Sequence, residues 1–108
     1  MPVPDLDDDD RRRALDKAAA ARRARAELKA DLRTGKVTLA EVLARADHDD
    51  VVGRTKVAAL LEALPNVGKV RAQRLMERLE ISPTRRLRGL GANQRQRLLQ
   101  TLADDRAG

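Results

Sequence analysis

A proline and a glycine separate two apolar helical runs near the middle of the chain. Residues 57–64 carry valine and leucine at core spacing, and residues 70–79 repeat the helical period. Pro65 ends the first run, because proline donates no backbone hydrogen bond and its ring clashes with the preceding turn. Gly68 permits a positive φ or a close backbone approach, where a side chain would collide. The sequence therefore predicts two helices joined by a tight hairpin.

The hairpin leads into a helix start that carries a lysine. The first N–H groups of a helix have no intrahelical acceptor and form a site for an anion. Lys69 adds a mobile positive charge at the same place. This arrangement is typical of a helix-hairpin-helix that binds a phosphate without reading a base. The predicted contact comprises Leu64, Pro65, Asn66, Val67, Gly68, Lys69, Val70 and Arg71.

A second cluster of arginine and glycine follows a predicted turn at residues 82–84. Two glycines within three residues permit a close backbone approach, and three arginines supply contacts to phosphates or to a groove. The predicted residues of this second segment are Ser82, Thr84, Arg85, Arg86, Arg88, Gly89, Gly91, Asn93, Gln94 and Arg95. The segment runs into a last helix, over about residues 93–103. Its arginines, Arg95 and Arg97, are expected to face solvent.

The first third of the chain predicts a long alanine-rich helix. An aspartate run at residues 7–10 opens it, and Gly35 follows its end near Arg33. Its apolar stripe is mostly alanine, so we expect only the last turns to dock on the body. A basic face beside that stripe supplies further candidate contacts, which are Arg22, Arg25, Lys29 and Arg33. A solvated face explains these charges about as well as a partner does.

The middle of the chain predicts short helices and a loop. Thr38 and Glu41 form a capping box, and Thr55 is expected to cap the helix that precedes Pro65. The only histidine, His48, lies among aspartates at residues 47–50. Successive side chains cannot easily converge on one ion, so this stretch predicts a solvated loop rather than a metal site. The fold class is all-α, with no strand.

The composition of the chain restricts the kind of molecule that it can bind. The 108 residues hold 23 lysines and arginines against 17 acids, a net charge of +6, which indicates a polyanion. Aromatic residues, on which single-stranded bases stack, are absent, so duplex phosphate is the better prediction. The absence of cysteine excludes disulfides and fits a reducing cytosol. No apolar run approaches a membrane span, and we expect a cytosolic protein.

Four blocks of sequence together resemble the actinobacterial integration host factor family. They are AAAARRARAELK at residues 18–29, KVAALLEALP at 56–65, VGKV at 67–70 and TRRLRGLG at 84–91. The blocks occur in the family's order, and the resemblance covers residues 11–102. The hairpin alone would be weaker support, since many repair and ribosomal proteins carry one.

The resemblance implies a small nucleoid-associated protein with a long N-terminal helix and a compact helix–two-turn–helix domain. The expected division is an acidic, disordered segment over residues 1–10, the helix over 11–34 and the domain over 35–104. The family's lid on DNA corresponds to residues 64–71, and its second DNA-contacting segment corresponds to residues 82–94. The implied function is that of a monomer that binds duplex DNA with little sequence preference, bends or compacts it and assists phage integration. Phage integrase is an expected partner on the DNA; no cofactor, small-molecule substrate or membrane is expected.

Two departures from the family's pattern bear on these expectations. The aspartate run replaces a polar N-terminal segment, and Leu102 stands where a phenylalanine is usual. The second change predicts looser packing of the final helix. Pro65 at the hairpin tip is the candidate for an apolar wedge between base steps, although ending a helix is enough to explain it.

Three other functions remain open at this stage. A structured-RNA binder of the ribosomal type would use a similar domain, but it usually carries a long basic C-terminal extension. A DNA glycosylase of this class would use an N-terminal proline, here Pro2, yet the chain is short for one and shows no nucleophile–base pair. A protein-interaction module would need neither the glycine hairpin nor the arginine cluster. We therefore expect no catalysis.

Overall fold

The computed structural model describes the backbone of residues 8–107 and the side chains of residues 8–104. Within these residues the chain forms six α-helices and one 3-10 helix, and no strand. The helices are α1 Asp8–Thr34, α2 Leu39–Arg45, α3 Asp50–Arg54, α4 Val57–Ala63, α5 Gly68–Arg78 and α6 Ala92–Ala107, and the 3-10 helix is Leu87–Gly89. The prediction of an all-α fold is confirmed. Pro2 lies outside the described residues, as does most of the segment predicted to be disordered.

Helix α1 projects from the rest of the molecule. Its 27 residues span about 40 Å, and the described residues extend over 65 × 27 × 26 Å. Only Leu28 and Leu32 of α1 are buried, whereas Leu15 is 65 % exposed. The prediction that the last turns dock is therefore confirmed. The acidic residues 8–10 form the first turn of α1, where their charge favours the positive end of the helix dipole, so the predicted boundary at residue 11 falls inside the helix.

One hydrophobic core joins the helices of the body. Its fully buried large side chains come from α1, α2, α4, the 3-10 helix and α6: Leu32, Leu60, Leu61, Leu87, Leu98, Val42 and Val57. Helix α5 contributes Leu75 and Met76 from the face opposite its exposed arginines. The core therefore holds the hairpin and the arginine-rich segment at fixed places on the surface.

Helix α3 was not predicted. The loop expected over residues 47–50 is present over residues 47–49, but Asp49 accepts hydrogen bonds from the N–H groups of Val51 at 2.9 Å and Val52 at 3.2 Å, and α3 begins at Asp50. An aspartate ahead of two valines is an N-cap signal, which the clustered charges obscured. The capping box of α2, by contrast, is present as predicted between Thr38 and Glu41.

The predicted cap of α4 is wrong. The hydroxyl of Thr55 donates to the carbonyl of Val51 at 2.7 Å, so it closes α3 instead of opening α4. Lys56 precedes α4 and makes no side-chain cap bond.

The predicted end of the last helix at residue 103 is four residues short, because α6 continues to Ala107. No helix in the described part of the chain is long and apolar enough to span a membrane.

Candidate nucleic-acid interface

The hairpin, which we call the lid (residues 64–71), is a sharp turn between α4 and α5. Asn66 has a φ of 66° and Gly68 a φ of 71°, so two left-handed residues flank Val67. The positive φ predicted for Gly68 is confirmed. Asn66 was not predicted to adopt one, although asparagine is among the side chains that tolerate this region. Pro65 stands just after the end of α4, as expected from its effect on helices.

The lid has an apolar base and an exposed tip. Leu64 and Val67 pack against the core, while Lys69 is exposed and the side chain of Val70 is 63 % exposed. An added Cβ on Gly68 would meet no atom within 4 Å, so the backbone there faces open space. Val67 provides no side-chain cap to α5. The first N–H groups of α5 are therefore accessible to an anion.

The arginine-rich segment is held by hydrogen bonds to Thr55, at the end of α3, and to Val57, at the start of α4. The N–H of Val57 donates to the carbonyl of Arg85 at 2.9 Å, and the N–H of Leu87 donates to the carbonyl of Thr55 at 3.0 Å. Leu87 is fully buried and Leu90 is 4 % exposed. Because the leucines fill the core, the neighbouring arginines are directed outward.

These arginines surround a shallow cavity of about 530 Å³, which we call the arginine concavity. It is lined by Gly53, Arg54, Ser82, Thr84, Arg85, Arg86, Arg88 and Gly89. Six of these eight residues were predicted from the sequence, and the two from α3 were not. Arg54 is distant in sequence from the others, so only the fold reveals its place. The hydroxyls of Ser82 and Thr84 lie 3.1 Å apart on the same rim.

The arginines of the concavity differ in their partners. Arg86 Nη1 donates to the carbonyl of Arg54 at 2.9 Å, and Arg88 Nη2 donates to the carboxylate of Asp50 at 2.8 Å. The side chain of Arg85 lies over Gly89, where an added Cβ would come within 3.0 Å of its Cδ. The hydrogen bond from Arg88, and then the charge of Arg54, lower the pKa of Asp50 below its ordinary value.

Two of the predicted contact residues form hydrogen bonds within the protein. Arg95 was expected to face solvent, but its side chain is only 20 % exposed. It donates to both carboxylate oxygens of Asp47 at 3.1 Å and also to the backbone. The side-chain oxygen of Gln94 accepts the N–H of Gly91 at 3.2 Å and closes the first turn of α6. Asn93 remains exposed.

The three aspartates within residues 47–50 bind three different parts of the protein. Asp47 pairs with Arg95, Asp49 caps α3 and Asp50 pairs with Arg88. These side chains therefore diverge, and the described residues contain no group of histidines and carboxylates that could hold a metal.

The basic face of α1 lies apart from the concavity lining. Of its four predicted contacts, Arg22 and Arg33 are exposed, and Arg25 and Lys29 are half-buried. None of the four lines the arginine concavity.

The lid and the arginine concavity lie at opposite ends of α4. The lid follows the last residue of α4, Ala63, whereas Arg85 bonds to its first residue, Val57. Seven residues of helix separate the two by about 10 Å, and α5, with 11 residues, returns the chain over about 16 Å. The molecule thus presents two cationic surfaces at the two ends of α4.

This architecture has counterparts among known proteins. The family model described as "S13-like H2TH domain" matches residues 32–102, which include the lid and the arginine concavity. The class of protein is therefore that of the helix–two-turn–helix domains.

Curated relatives narrow the class. The chain is 61 % identical to "Integration host factor" of Mycobacterium tuberculosis over 100 residues, which cover 93 % of this chain and 95 % of the relative. It is 55 % identical to "Integration host factor" of Streptomyces coelicolor over 94 residues, covering 87 % and 88 % of the two chains. The chain belongs to the integration host factor family of these actinobacteria. A solved structure of sIHF bound to an 8-bp palindromic DNA superposes with a TM-score of 0.78 at 55 % identity, covering 80 % of this chain and 97 % of the other.

Proposed function

We infer that this chain is a non-enzymatic architectural protein that binds double-stranded DNA. The observation that carries the inference is the arginine concavity, in which four guanidinium groups and two hydroxyls converge on one surface. Guanidinium groups bind phosphate through paired hydrogen bonds, and contacts to phosphate carry no sequence information. Binding with little sequence preference follows. The DNA-bound relative in the same family supports duplex DNA over the RNA alternative.

The lid supplies the second contact. Lys69 and the free N–H groups at the start of α5 suit a phosphate, while Pro65 and the exposed Val70 suit a sugar or a base step. Two contacts on a rigid pair of helices favour a curved path of the DNA between them. Bending a site by 40–90° costs on the order of 1–6 kcal/mol, which several charge-assisted hydrogen bonds can offset.

The cellular role proposed here follows from bending. A monomer that curves DNA would compact the chromosome within the cytoplasmic nucleoid and bring recombination sites together. Assistance to phage integration, with integrase bound on the same DNA, belongs to this proposal. So does the division into an N-terminal segment, a helix that begins at Asp8 instead of at residue 11, and a DNA-binding domain over residues 35–104.

The basic face of α1 is a further proposed contact. Arg33, in the docked last turn, and Arg22, in the middle of α1, are both exposed, so they can reach a duplex that leaves the body. The predicted contacts Arg95 and Gln94 are proposed to act through the fold, since each already has an internal partner.

The test is a competition measured across a salt series. A labelled random-sequence duplex of about 30 bp should bind with a slope near −5 in log affinity against log salt if about six phosphates are neutralised. Unlabelled duplex should displace it better than single-stranded DNA or structured RNA. A chain that prefers RNA would contradict the proposal.

A pair of matched variants tests whether the arginine concavity binds the DNA. The double variant Arg85→Ala, Arg86→Ala should weaken binding. It should also reduce the slope of log affinity against log salt by roughly 1.8, because two phosphate contacts are lost. Arg97→Ala removes an exposed arginine from α6, outside the concavity lining, and serves as the control. Unchanged affinity in the double variant would favour a protein-interaction module instead.

A further inference from the structure

Asp50 lies between two arginines of the arginine concavity. One carboxylate oxygen accepts a hydrogen bond from Arg88 Nη2 at 2.8 Å, and the other lies 3.8 Å from Arg54 Nη2. A phosphate would present two oxygens to the same pair of guanidinium groups. The carboxylate is 69 % exposed, so DNA that enters the concavity approaches it directly.

Gly53 makes this arrangement possible. A Cβ there would lie 2.9 Å from Arg88 Nε and 3.0 Å from its Nη2, and it would also collide with the carbonyl oxygen of Ala46. The guanidinium of Arg88 therefore lies over the backbone of α3, on the side where Asp50 stands. The absence of a side chain at residue 53 leaves room for Arg88 to reach the carboxylate.

Within the described residues, Arg85 and Arg86, the other two arginines of the concavity, form no ion pair with a carboxylate. Arg86 donates to a neutral carbonyl, and Arg85 makes no ion pair within the described residues. The positive charge of the concavity is thus compensated on one side only, toward α3. The neighbouring cations Arg88, Arg54 and Lys17 keep the pKa of Asp50 low, so the carboxylate stays ionised near neutral pH.

We propose that Asp50 is an internal competitor for the DNA phosphate: it occupies Arg88 and Arg54 in the free protein and repels the incoming phosphate. The inference rests on the proposed function, since it concerns the same concavity. Asp50 thereby lowers both the affinity for duplex DNA and its salt dependence. Arg85 and Arg86 carry most of the phosphate contact, although all four arginines line the cavity.

The size of the effect follows from Coulomb's law. A unit charge about 6 Å from a phosphate in water repels it enough to weaken binding roughly threefold, and a lower local dielectric raises this toward tenfold. Release of one more arginine to the phosphates steepens the salt slope by up to about 0.9.

The experiment compares Asp50→Asn with the wild-type chain on the same duplex across the salt series. An asparagine oxygen still accepts the hydrogen bond from Arg88, so the variant removes charge with little change of shape. We expect about three- to tenfold tighter binding near 0.1 M salt and a steeper slope. Circular dichroism and thermal unfolding verify that both proteins are folded.

Asp49→Asn is the matched control. It removes the same charge one residue away, and asparagine remains a good N-cap for α3. Its affinity should change by less than about twofold. Equal gains in the two variants would overturn the proposal, because they would reflect net charge alone.

A double-mutant cycle that combines Asp50→Asn with Arg88→Gln tests the interaction between Asp50 and Arg88. The substitution should cost little in the wild-type chain, where Arg88 is already compensated, and more in Asp50→Asn. Equal or weaker binding by Asp50→Asn than by wild type would overturn the proposal. A wild-type chain that fails to bind duplex at any salt overturns the proposed function itself, which is a distinct outcome.

Discussion

Arg95 joins three parts of the chain through a single guanidinium group. It stands in α6, pairs with Asp47 after α2, and donates to the carbonyls of Leu87 at 3.3 Å and Leu90 at 3.1 Å beside the 3-10 helix. A further bond reaches the carbonyl of Leu43 at 3.4 Å. The residue therefore supports the arginine concavity from behind.

Replacing Arg95 with alanine should destabilise the protein. The carbonyls of three buried leucines lose a donor, and we expect a cost of about 2 kcal/mol in the free energy of unfolding. Chemical denaturation measures this value. Arg97→Ala, two residues along the same helix and exposed, should change stability by less than about 0.5 kcal/mol. Equal effects of the two substitutions would show that Arg95 is not structural.

Gly53 is the residue whose replacement should affect both fold and site. An alanine Cβ would collide with the carbonyl of Ala46 and with Arg88, so Gly53→Ala should cost about 1–3 kcal/mol. Gly91→Ala is the control, since a Cβ there meets only Gln94 Oε1, at 4.0 Å. Thermal unfolding should separate the two variants. A Gly53→Ala protein as stable as the wild type would mean that α2 and α3 move apart at little cost.

At the scale of elements, a groove under the lid is incompletely filled. A cavity of about 510 Å³ lies between the loop after α1, the lid and the end of α6. Leu64, Val67, Leu99 and Leu102 line it and are only partly buried. Leu102, at the position where a phenylalanine is usual in the resembled family, lines this groove, and the looser packing expected of the final helix stays a prediction.

Leu102→Phe should therefore stabilise the protein. The larger side chain can bury more apolar area in the groove, for a gain of about 0.5–1 kcal/mol. Leu98→Phe on the same helix is the comparison. Because Leu98 is fully buried, a larger ring there should lower the free energy of unfolding by about 1–3 kcal/mol. Urea unfolding of both variants gives the comparison. Destabilisation by Leu102→Phe would show that the groove is too shallow for the ring.

The elements differ in how well the sequence predicted them. The lid was predictable because Pro65 and Gly68 restrict the backbone locally, and the capping box at Thr38 is likewise a local signal. Helix α3 was missed because five residues are too few to show a helical period. The contribution of Arg54 to the concavity depends on how α3 packs beside residues 85–89, which no local pattern contains. Arg95 was misread because its partners lie about fifty positions away in the chain, at Leu43 and Asp47.

For the whole molecule, two ion pairs join the α2–α3 turn, through Asp47, and the start of α3, through Asp50, to Arg95 and Arg88 in the C-terminal half. The hydrogen bond from Arg95 lowers the pKa of Asp47, and that from Arg88 lowers the pKa of Asp50, from an ordinary value of 3.8. The unfolded chain therefore binds protons more readily than the folded one as the solution becomes acidic.

Stability should accordingly depend on acid pH. The contribution of the two pairs is complete at neutral pH and is lost as the pH falls below 3.8, through the lowered pKa values. Urea unfolding at a series of pH values measures the loss. The Asp47→Asn, Asp50→Asn double variant should show a flatter dependence in this range. An unchanged dependence would mean that other carboxylates cause it.

The measurement that tests the account most directly is the bend of a short duplex, followed by energy transfer between dyes at its ends. Wild type should bend the duplex. Lys69→Ala in the lid and Arg85→Ala with Arg86→Ala in the concavity should each reduce the bend at saturating protein, because one of two separated contacts is lost. Pro65→Ala should reduce the bend more than the affinity if the proline is a wedge. A straight duplex at saturation, or an unchanged bend after loss of either contact, would contradict binding at both ends of α4.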